Sequence, residues 1–521
     1  MGFPPQLQHL MGARGQPGLG HTFTRFWRNA LGRPTVLEHT LACSPITEIE
    51  TPPYMIESGT QTEPSAPEPS AFQDQDDDVS NHSSKRSSNA SSTASVHYRQ
   101  DEEAIKAIDD DLFIKLLLQH LDSESALDPS DCVVEKRASG SFNHVVVLSV
   151  ATLGQFAIKV PFHGTPELWQ PSDAYHLRNE ANTMNYLRKH TRIPIPEVLG
   201  FDDSFVNVLS APYILMRGIE GKPAGRIWIP TNRDGTLDFA NMDSPDRVTY
   251  NRRLNFLKSL ANTMAELQKL EFAKIGMLNF DDDADSPTVS HYFRDDSNLT
   301  PKRIDAFTSS KSFYQAKLDK FVEHMGDAME ESLYGVKHLL WNIYRLAPFN
   351  LSKKEGDTDE TFVLAHPDLD FQNIFVDDEG NVTGIIDWDG ALTVPRCIGY
   401  ASVPVFLRED WDPDYDQDAK DAQMPWVLER YRRIYSEFML EATSGGDGKY
   451  TLNSPLYHLA TISLEQSSAT PAFLEYVHLA IPSLRFMDKE KFMARLGSDT
   501  GFGSAEQMLA KELVQLFALK P

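Results

Sequence analysis

The sequence predicts an α+β fold, on three observations. Between Cys132 and Val160, short apolar runs rich in β-branched residues are separated by turns of small residues, the pattern of paired strands. From Ser244 onward most apolar residues instead recur at helical spacing. Within that helical region a single stretch breaks the pattern: Phe362–Gly390, FVLAHPDLDFQNIFVDDEGNVTGIIDWDG, reads as a strand, a polar loop and a hairpin.

Length and charge narrow the class. The chain has 521 residues, enough for two or more structural units plus tails. It carries 49 basic against 75 acidic residues, a formal net charge of -26, and a pI near 5.0. Neutralisation of phosphates by Lys and Arg dominates binding to nucleic acid, so no nucleic-acid partner is expected. Cys43, Cys132 and Cys397 are far apart and form neither a C-x-x-C pair nor a disulfide framework, which fits a reducing compartment. No apolar run approaches the ~20 residues needed to span a bilayer, so no transmembrane segment is expected.

The elements follow in order. Residues 1–50 form a basic tail: Met1 to Leu37 contains no acidic residue, and Phe23, Phe26, Trp27, Ala30 and Leu31 fall at helical spacing. Two readings stand for it, an amphipathic mitochondrial leader or a disordered tail interrupted by glycines, so the location is cytoplasmic with mitochondrial as the alternative. Residues 51–100, rich in Ser, Pro, Asp and Gln, cannot bury enough apolar surface to offset chain entropy and read as a disordered linker. Order begins near Asp101, with a helix over Ala104–Leu121 and strands at Cys132–Lys136, His144–Val150 and Gln155–Val160. Ser172–His190 reads as a helix with Leu177, Ala181, Met184 and Leu187 on one face and Glu180 beside them. Tyr213 to Gly221 reads as a strand and turn, and Ser244 to Glu271 as a helix capped by Ser244-Pro245. A helical stretch, Tyr314–Leu346, is interrupted by Gly326 and Gly335; a charged loop, Lys353–Glu360, precedes the strand at Phe362. After an acidic loop ending at Asp421, helices resume at Trp426–Ala442, Leu456–Gln466, Ala472–Leu479 and Ala505–Leu519.

Chemistry concentrates at the polar loop and hairpin. Asp368, Asn373 and Asp387 sit at or just beyond strand ends, where side chains converge on a ligand. Phosphoryl transfer needs such a set: a carboxylate that accepts the proton of an attacking hydroxyl, with an amide oxygen and a second carboxylate to hold Mg2+ on a triphosphate. Asp368 takes the role of base, His366 orients its loop, and Asn373 and Asp387 are the metal ligands.

The spacing H-x-D-x-x-x-x-N from His366 to Asn373, followed by a hairpin and Ile385-Ile386-Asp387, resembles the catalytic and metal loops of the aminoglycoside phosphotransferase and choline kinase-like family. The resemblance implies a protein-kinase-like two-lobed fold, with a small antiparallel-sheet N-lobe at 101–221 and a larger, mainly helical C-lobe at 222–521. It implies ATP and Mg2+ between the lobes and a small-molecule hydroxyl acceptor. Gly140 and Ser141 would lie in the nucleotide loop, Lys159 would grip the phosphates while paired to Glu180, and backbone groups around Met216 and Gly218 would face the adenine. The alternative is a catalytically silent nucleotide-binding scaffold. There are three departures: Pro367 replaces the family's usual Gly, Asp370 its usual His, and Asp387-Trp388-Asp389 stands where protein kinases have D-F-G. Asp370 helps to bind a cationic acceptor, raises the pKa of Asp368, or only caps a turn. No G-x-S-x-G elbow supports a hydrolase.

Overall fold

The computed structural model describes residues 99–517 except 122–127, 282–284, 296–299, 326–330, 347–359, 412–414, 420–421, 466–469, 482, 485 and 499–501. The expected N-terminal tail, the expected linker apart from Arg99 and Gln100, most of the loop before Phe362 and part of the acidic loop therefore lie outside the described residues.

Five strands form the first sheet: β1 (Cys132–Ser139), β2 (Asn143–Val150), β3 (Gly154–Pro161), β4 (Val198–Asp202) and β5 (Tyr213–Arg217), in the order β1-β2-β3-β5-β4. All neighbours are antiparallel. Alternation along each strand divides the side chains between two cores. Val146, Leu148 and Val150 of β2, Phe156, Ile158 and Val160 of β3, and Tyr213 and Leu215 of β5 are buried against α1 (Glu102–Lys106) and α2 (Asp110–Leu121). Ile214 and Met216 point the other way, onto α3 (Pro171–His190) and the second lobe. The single helix expected at Ala104–Leu121 is thus two, broken at 107–109, and Asp101 caps the first by accepting from the Ala104 amide at 3.0 Å.

The chain leaves the sheet after β5, and β6 (Lys222–Pro223) already pairs with β12 (Ile374–Val376), which pairs in turn with β13 (Val382–Ile385). A short helix, α4 (Gly225–Trp228), leads toward α5 (Arg247–Ala265), whose Phe256, Leu257, Leu260, Ala261 and Met264 enter the same core as α3. The helix expected from Ser244 starts at Asp246 instead, whose carboxylate accepts from the Thr249 amide at 2.7 Å, and it tightens to a 3-10 turn at Glu266–Lys269. The sequence reading gave no strands for the segment that follows, where β7 (Gly276–Asn279), β8 (Thr288–Ser290), β9 (Tyr292–Asp295) and β10 (Pro301–Ile304) form. A second small sheet runs in the order β11-β14-β7-β8, with β11 at Val363–Ala365 and β14 at Leu392–Val394.

The remaining helices are α6 (Ser310–Met325), α7 (Glu331–Leu346), α8 (Pro425–Ala442), α9 (Ser454–Glu465), α10 (Thr470–Ala480), α11 (Lys489–Gly497) and α12 (Phe502–Phe517). Apart from α8, which packs with α5, they surround a separate apolar core. Gly335, expected to interrupt a helix, lies inside α7: a Cβ there would stand 1.9 Å from the Met493 carbonyl oxygen of α11. The glycine serves a close helix crossing.

Candidate functional site

Lys159 is placed by strand parity. It pairs with Val145 of β2 and Ile214 of β5, so it lies on a central strand, and its neighbours Ile158 and Val160 fill the opposite core. Glu180 belongs to the buried stripe of α3 and is only 5% exposed, not a solvated helix-face acid. The Lys159 Nζ donates to both Glu180 oxygens, at 2.7 and 2.8 Å, and to the Asp387 Oδ1 at 2.7 Å. Burial opposes the charge on Lys159, but Asp387, Glu180 and Asp389 outweigh it and raise the ammonium's pKa. Burial, with Asp389 and Asp387, pushes Glu180 up to about 8 in spite of Lys159.

Asp387 stands just past β13, where the Ile386 amide donates to the Asn373 carbonyl at 3.0 Å and so ties the two loops together. Its φ of 64° is left-handed, a conformation that costs a non-glycine residue of order 1 kcal/mol or more. The surroundings hold it there: Trp388 is fully buried behind it and Lys159 pulls on its carboxylate. Burial would raise this carboxyl, yet Lys159 keeps it below its ordinary value.

On the facing loop, the His366 Nε2 lies 2.9 Å from the Ile386 carbonyl, and its Nδ1 accepts from the Asp368 amide at 3.1 Å. Burial drives its pKa down to about 4, so the ring is neutral, donating at Nε2 and accepting at Nδ1. Trp388 closes edge-on at 4.7 Å. Both ring nitrogens are thus committed to backbone. With these contacts His366 is a positioning residue that fixes the Asp368 loop against the Asp387 loop.

The Asp368 Oδ2 accepts from Gln372 at 3.2 Å and Asn373 at 3.1 Å, while its Oδ1 is enclosed with no partner among the described residues. Burial first, then Asp370 and Asp387, raise this carboxyl to about 7. Asn373 spends its amide hydrogens on the Asp368 carbonyl and Oδ2, which leaves its carbonyl oxygen as the side chain's acceptor. Asp370 is fully buried and accepts from the Phe371 amide at 2.8 Å, capping the 3-10 turn Phe371–Asn373. It caps the turn and, by its charge, also helps to raise the Asp368 carboxyl. Pro367 is exposed.

Two backbone amides in the expected nucleotide-binding segments are already engaged. The Gly140 amide closes the β1–β2 hairpin on the Asn143 carbonyl at 2.9 Å, and the Gly218 amide donates to the Gln155 carbonyl at 2.7 Å, so neither is available to a nucleotide. Ser141 does lie in the hairpin loop, but Gln100 donates to its carbonyl at 2.7 Å. Met216 is buried within β5, paired with Ala157 and Val198. Sequence reasoning missed Gln372, which shares the Asp368 carboxylate, and Arg99, which donates to Asp173 at 3.0 and 3.1 Å at the start of α3. Gln372 was findable as the neighbour of Asn373; nothing local marks Arg99.

The profile of the family described as APH, phosphotransferase enzyme family, matches residues 134–434, more than half of the chain. The chain belongs to the phosphotransferase enzyme family. Its fold is the kinase-like α+β fold of that family, as the loop motifs implied. Among its relatives is the altered inheritance of mitochondria protein 9, mitochondrial, of Candida glabrata, 22% identical over 345 residues that cover 55% of this chain and 52% of the relative. A subtelomeric hrmA-associated cluster protein of Aspergillus fumigatus is 30% identical over 105 residues, 20% of each chain. The phosphotransferase-family chain thus spans about half the length, 52%, of its mitochondrial-inheritance relatives. Similar solved structures include a putative aminoglycoside phosphotransferase from Ralstonia eutropha, at 12% identity and TM-score 0.38, covering 78% of this chain and 98% of that one. Another is a thermostable variant of aminoglycoside phosphotransferase APH(4)-Ia in complex with AMP-PNP and hygromycin B, at 15% identity and TM-score 0.37, covering 78% and 99%.

The donor set of this family member suits Mg2+. Among the described residues no group of three or more His, Cys, Asp and Glu side chains forms a ready metal cage. Mg2+ does not require one, because it takes one or two protein oxygens and completes its octahedron with water and phosphate. The local charge points the same way. One ammonium, Lys159, faces Glu180, Asp387 and Asp389, and Asp387 together with Asp370 also bears on Asp368. Burial leads the rise of Glu180 and of Asp368, and these neighbouring acids add to it.

Proposed function

We propose that this protein is an ATP- and Mg2+-dependent kinase that moves the γ-phosphoryl group of ATP onto a hydroxyl of a small molecule. The observation that carries the reading is the convergence, from β3, α3 and two loops, of Lys159, Glu180 and Asp387, with Lys159 bonded to both acids at 2.7 to 2.8 Å, beside an Asp368 with an open oxygen. Lys159 would hold the triphosphate, with Glu180 fixing its direction. Asn373 and Asp387 would hold Mg2+, and bound there the metal would offset the negative charge of the phosphates.

The Asp368 Oδ1 would take the acceptor's O–H proton as that oxygen forms its bond to the γ-phosphorus. The bond from the γ-phosphorus to the bridging oxygen breaks, and ADP leaves with that electron pair. His366 keeps Asp368 in line by accepting its amide proton and donating to Ile386. The test is transfer of label from γ-labelled ATP to a panel of hydroxylated metabolites, with Asp368→Asn as control. A labelled small-molecule product absent from the variant supports the reading. Label that reaches only water, or no acceptor at all although Mg2+ and ATP bind, favours the silent scaffold.

On location, we infer the mitochondrial alternative, supported by the names of the relatives and by the acid-free basic segment at Met1 to Leu37. Fractionation of the full chain tests it, and a purely cytosolic distribution would reject it.

A further inference from the structure

Near Asp368 lies Arg408, and near Arg408 lies His458, two polar side chains that the proposed transfer has not used. Arg408 follows the 3-10 turn Val405–Leu407, whose first amide donates to the Leu369 carbonyl at 3.0 Å, next to Asp368. On the other side Arg432 of α8 donates to the Leu407 carbonyl at 2.8 Å and grips both oxygens of Asp410, at 2.7 and 3.0 Å. The backbone is therefore pinned on either side of Arg408. Its side chain does not share in this: Nε is enclosed without a hydrogen-bond partner among the described residues. The His458 Nε2 of α9 is likewise enclosed and unpartnered. Arg408 lies within electrostatic reach of Asp368, Asp370 and His458.

An orphaned donor in a native interior calls for an explanation. A counter-ion role for Arg408 explains little, because the Asp368 Oδ1 lies within its field and is still without a hydrogen-bond partner. Asp370, for its part, accepts from the Phe371 amide. The orphans are complementary: an acceptor on Asp368, a donor on Arg408 that feels its charge, and a ring nitrogen on His458 that feels Arg408 in turn, with no hydrogen bond among the described residues to satisfy any of the three. Burial lowers Arg408 to about 10 and, with Arg408 itself, holds His458 neutral, so the pair presents one cation and one neutral ring.

We propose that Arg408 and His458 receive an anionic oxygen group of the phosphate acceptor, a carboxylate or a phosphate monoester, while the acceptor's hydroxyl meets Asp368. The inference rests on the kinase reading and narrows its substrate class to hydroxy acids or hydroxylated phosphate esters. The guanidinium fork matches the paired oxygens of either group. It also departs from the cationic acceptor that Asp370 suggested in the sequence; one oxygen of that carboxylate caps the Phe371 turn.

The test uses the full chain saturated with ADP and Mg2+, so that phosphate groups of the probe cannot take the nucleotide's place. Glycerol, ethanolamine, glycerate and glycerol 3-phosphate differ in little but the charged group, and their binding is measured by calorimetry. Glycerate or glycerol 3-phosphate should bind at least roughly tenfold tighter than glycerol, and which of the two does so separates carboxylate from phosphate. Arg408→Gln should erase the preference, and Arg408→Lys, which keeps the charge but not the fork, should retain some of it. Equal binding of all four probes, a preference for ethanolamine, or a preference unchanged in Arg408→Gln would overturn the proposal. Should Arg408→Gln not fold, His458→Phe takes its place and should weaken the anionic probe without touching ADP affinity. Failure of ADP and Mg2+ to bind at all would count against the kinase reading instead, and the inference would fall with it.

Discussion

Asp368→Asn should stabilise the protein while removing its turnover. Burial, Asp370 and Asp387 raise the Asp368 carboxyl from its ordinary 3.8 to about 7. Since the folded value lies above the unfolded one, the folded state binds this proton more tightly. The stability so contributed is complete below the unfolded value and is lost as pH rises through about 7. A gap of about 3 pH units at 1.36 kcal/mol each bounds the cost of the ionised carboxylate at about 4 kcal/mol. Partial exposure of the residue and local relaxation should reduce this to about 1–2 kcal/mol. Asparagine keeps an oxygen for Gln372 and Asn373 and carries no charge, so the variant should recover most of that cost. Denaturant unfolding of both proteins without nucleotide, from pH 4 to pH 8, reads it directly: the advantage of the variant should grow up to about pH 7 and then level off. Turnover should meanwhile fall by roughly 10²- to 10⁴-fold, the usual worth of a general base. A variant less stable than the parent at pH 8, or an advantage that shrinks as pH rises, would refute the electrostatic argument; unchanged turnover would refute the assignment of the base.

Lys159→Met should leave ATP bound roughly ten- to a hundredfold more weakly, as expected for losing hydrogen bonds to a charged group at about 1.5–3 kcal/mol, and an ATP titration of the folded variant checks it. Gly335→Ala should lower the urea midpoint: a methyl 1.9 Å from the Met493 carbonyl must push two helix backbones apart, at about 1–3 kcal/mol, which exceeds the gain in helix propensity.

Strand parity and motif spacing made much of this site legible. F-A-I-K-V marked Lys159 as a cation in an apolar strand, and the stripe of α3 located Glu180, although whether that glutamate was solvated turned on a contact with a residue 21 positions away. The loop residues Asp368, Asn373 and Asp387 could be read because short-range strand ends place them. Which backbone amides would be free could not be read: hairpin closure consumes that of Gly140 and sheet pairing that of Gly218, and both depend on register. Gly335 shows the same limit, since the sequence marks a helix breaker and only the crossing with α11 shows why glycine is needed. Arg253, fully buried and bonded to the carbonyls of Trp228 and Met242 and to the Tyr431 hydroxyl, had no local signal at all.

The central claim is that Lys159, Asn373 and Asp387 build a site for ATP with Mg2+. Calorimetric titration of ATP into the full chain, with and without Mg2+, in the parent and in Asp387→Asn, tests it most directly. The account predicts binding that depends on Mg2+ in the parent and loses that dependence in a variant that is still folded. No ATP binding in the parent, or binding indifferent to Mg2+ and unaltered in Asp387→Asn, would contradict it.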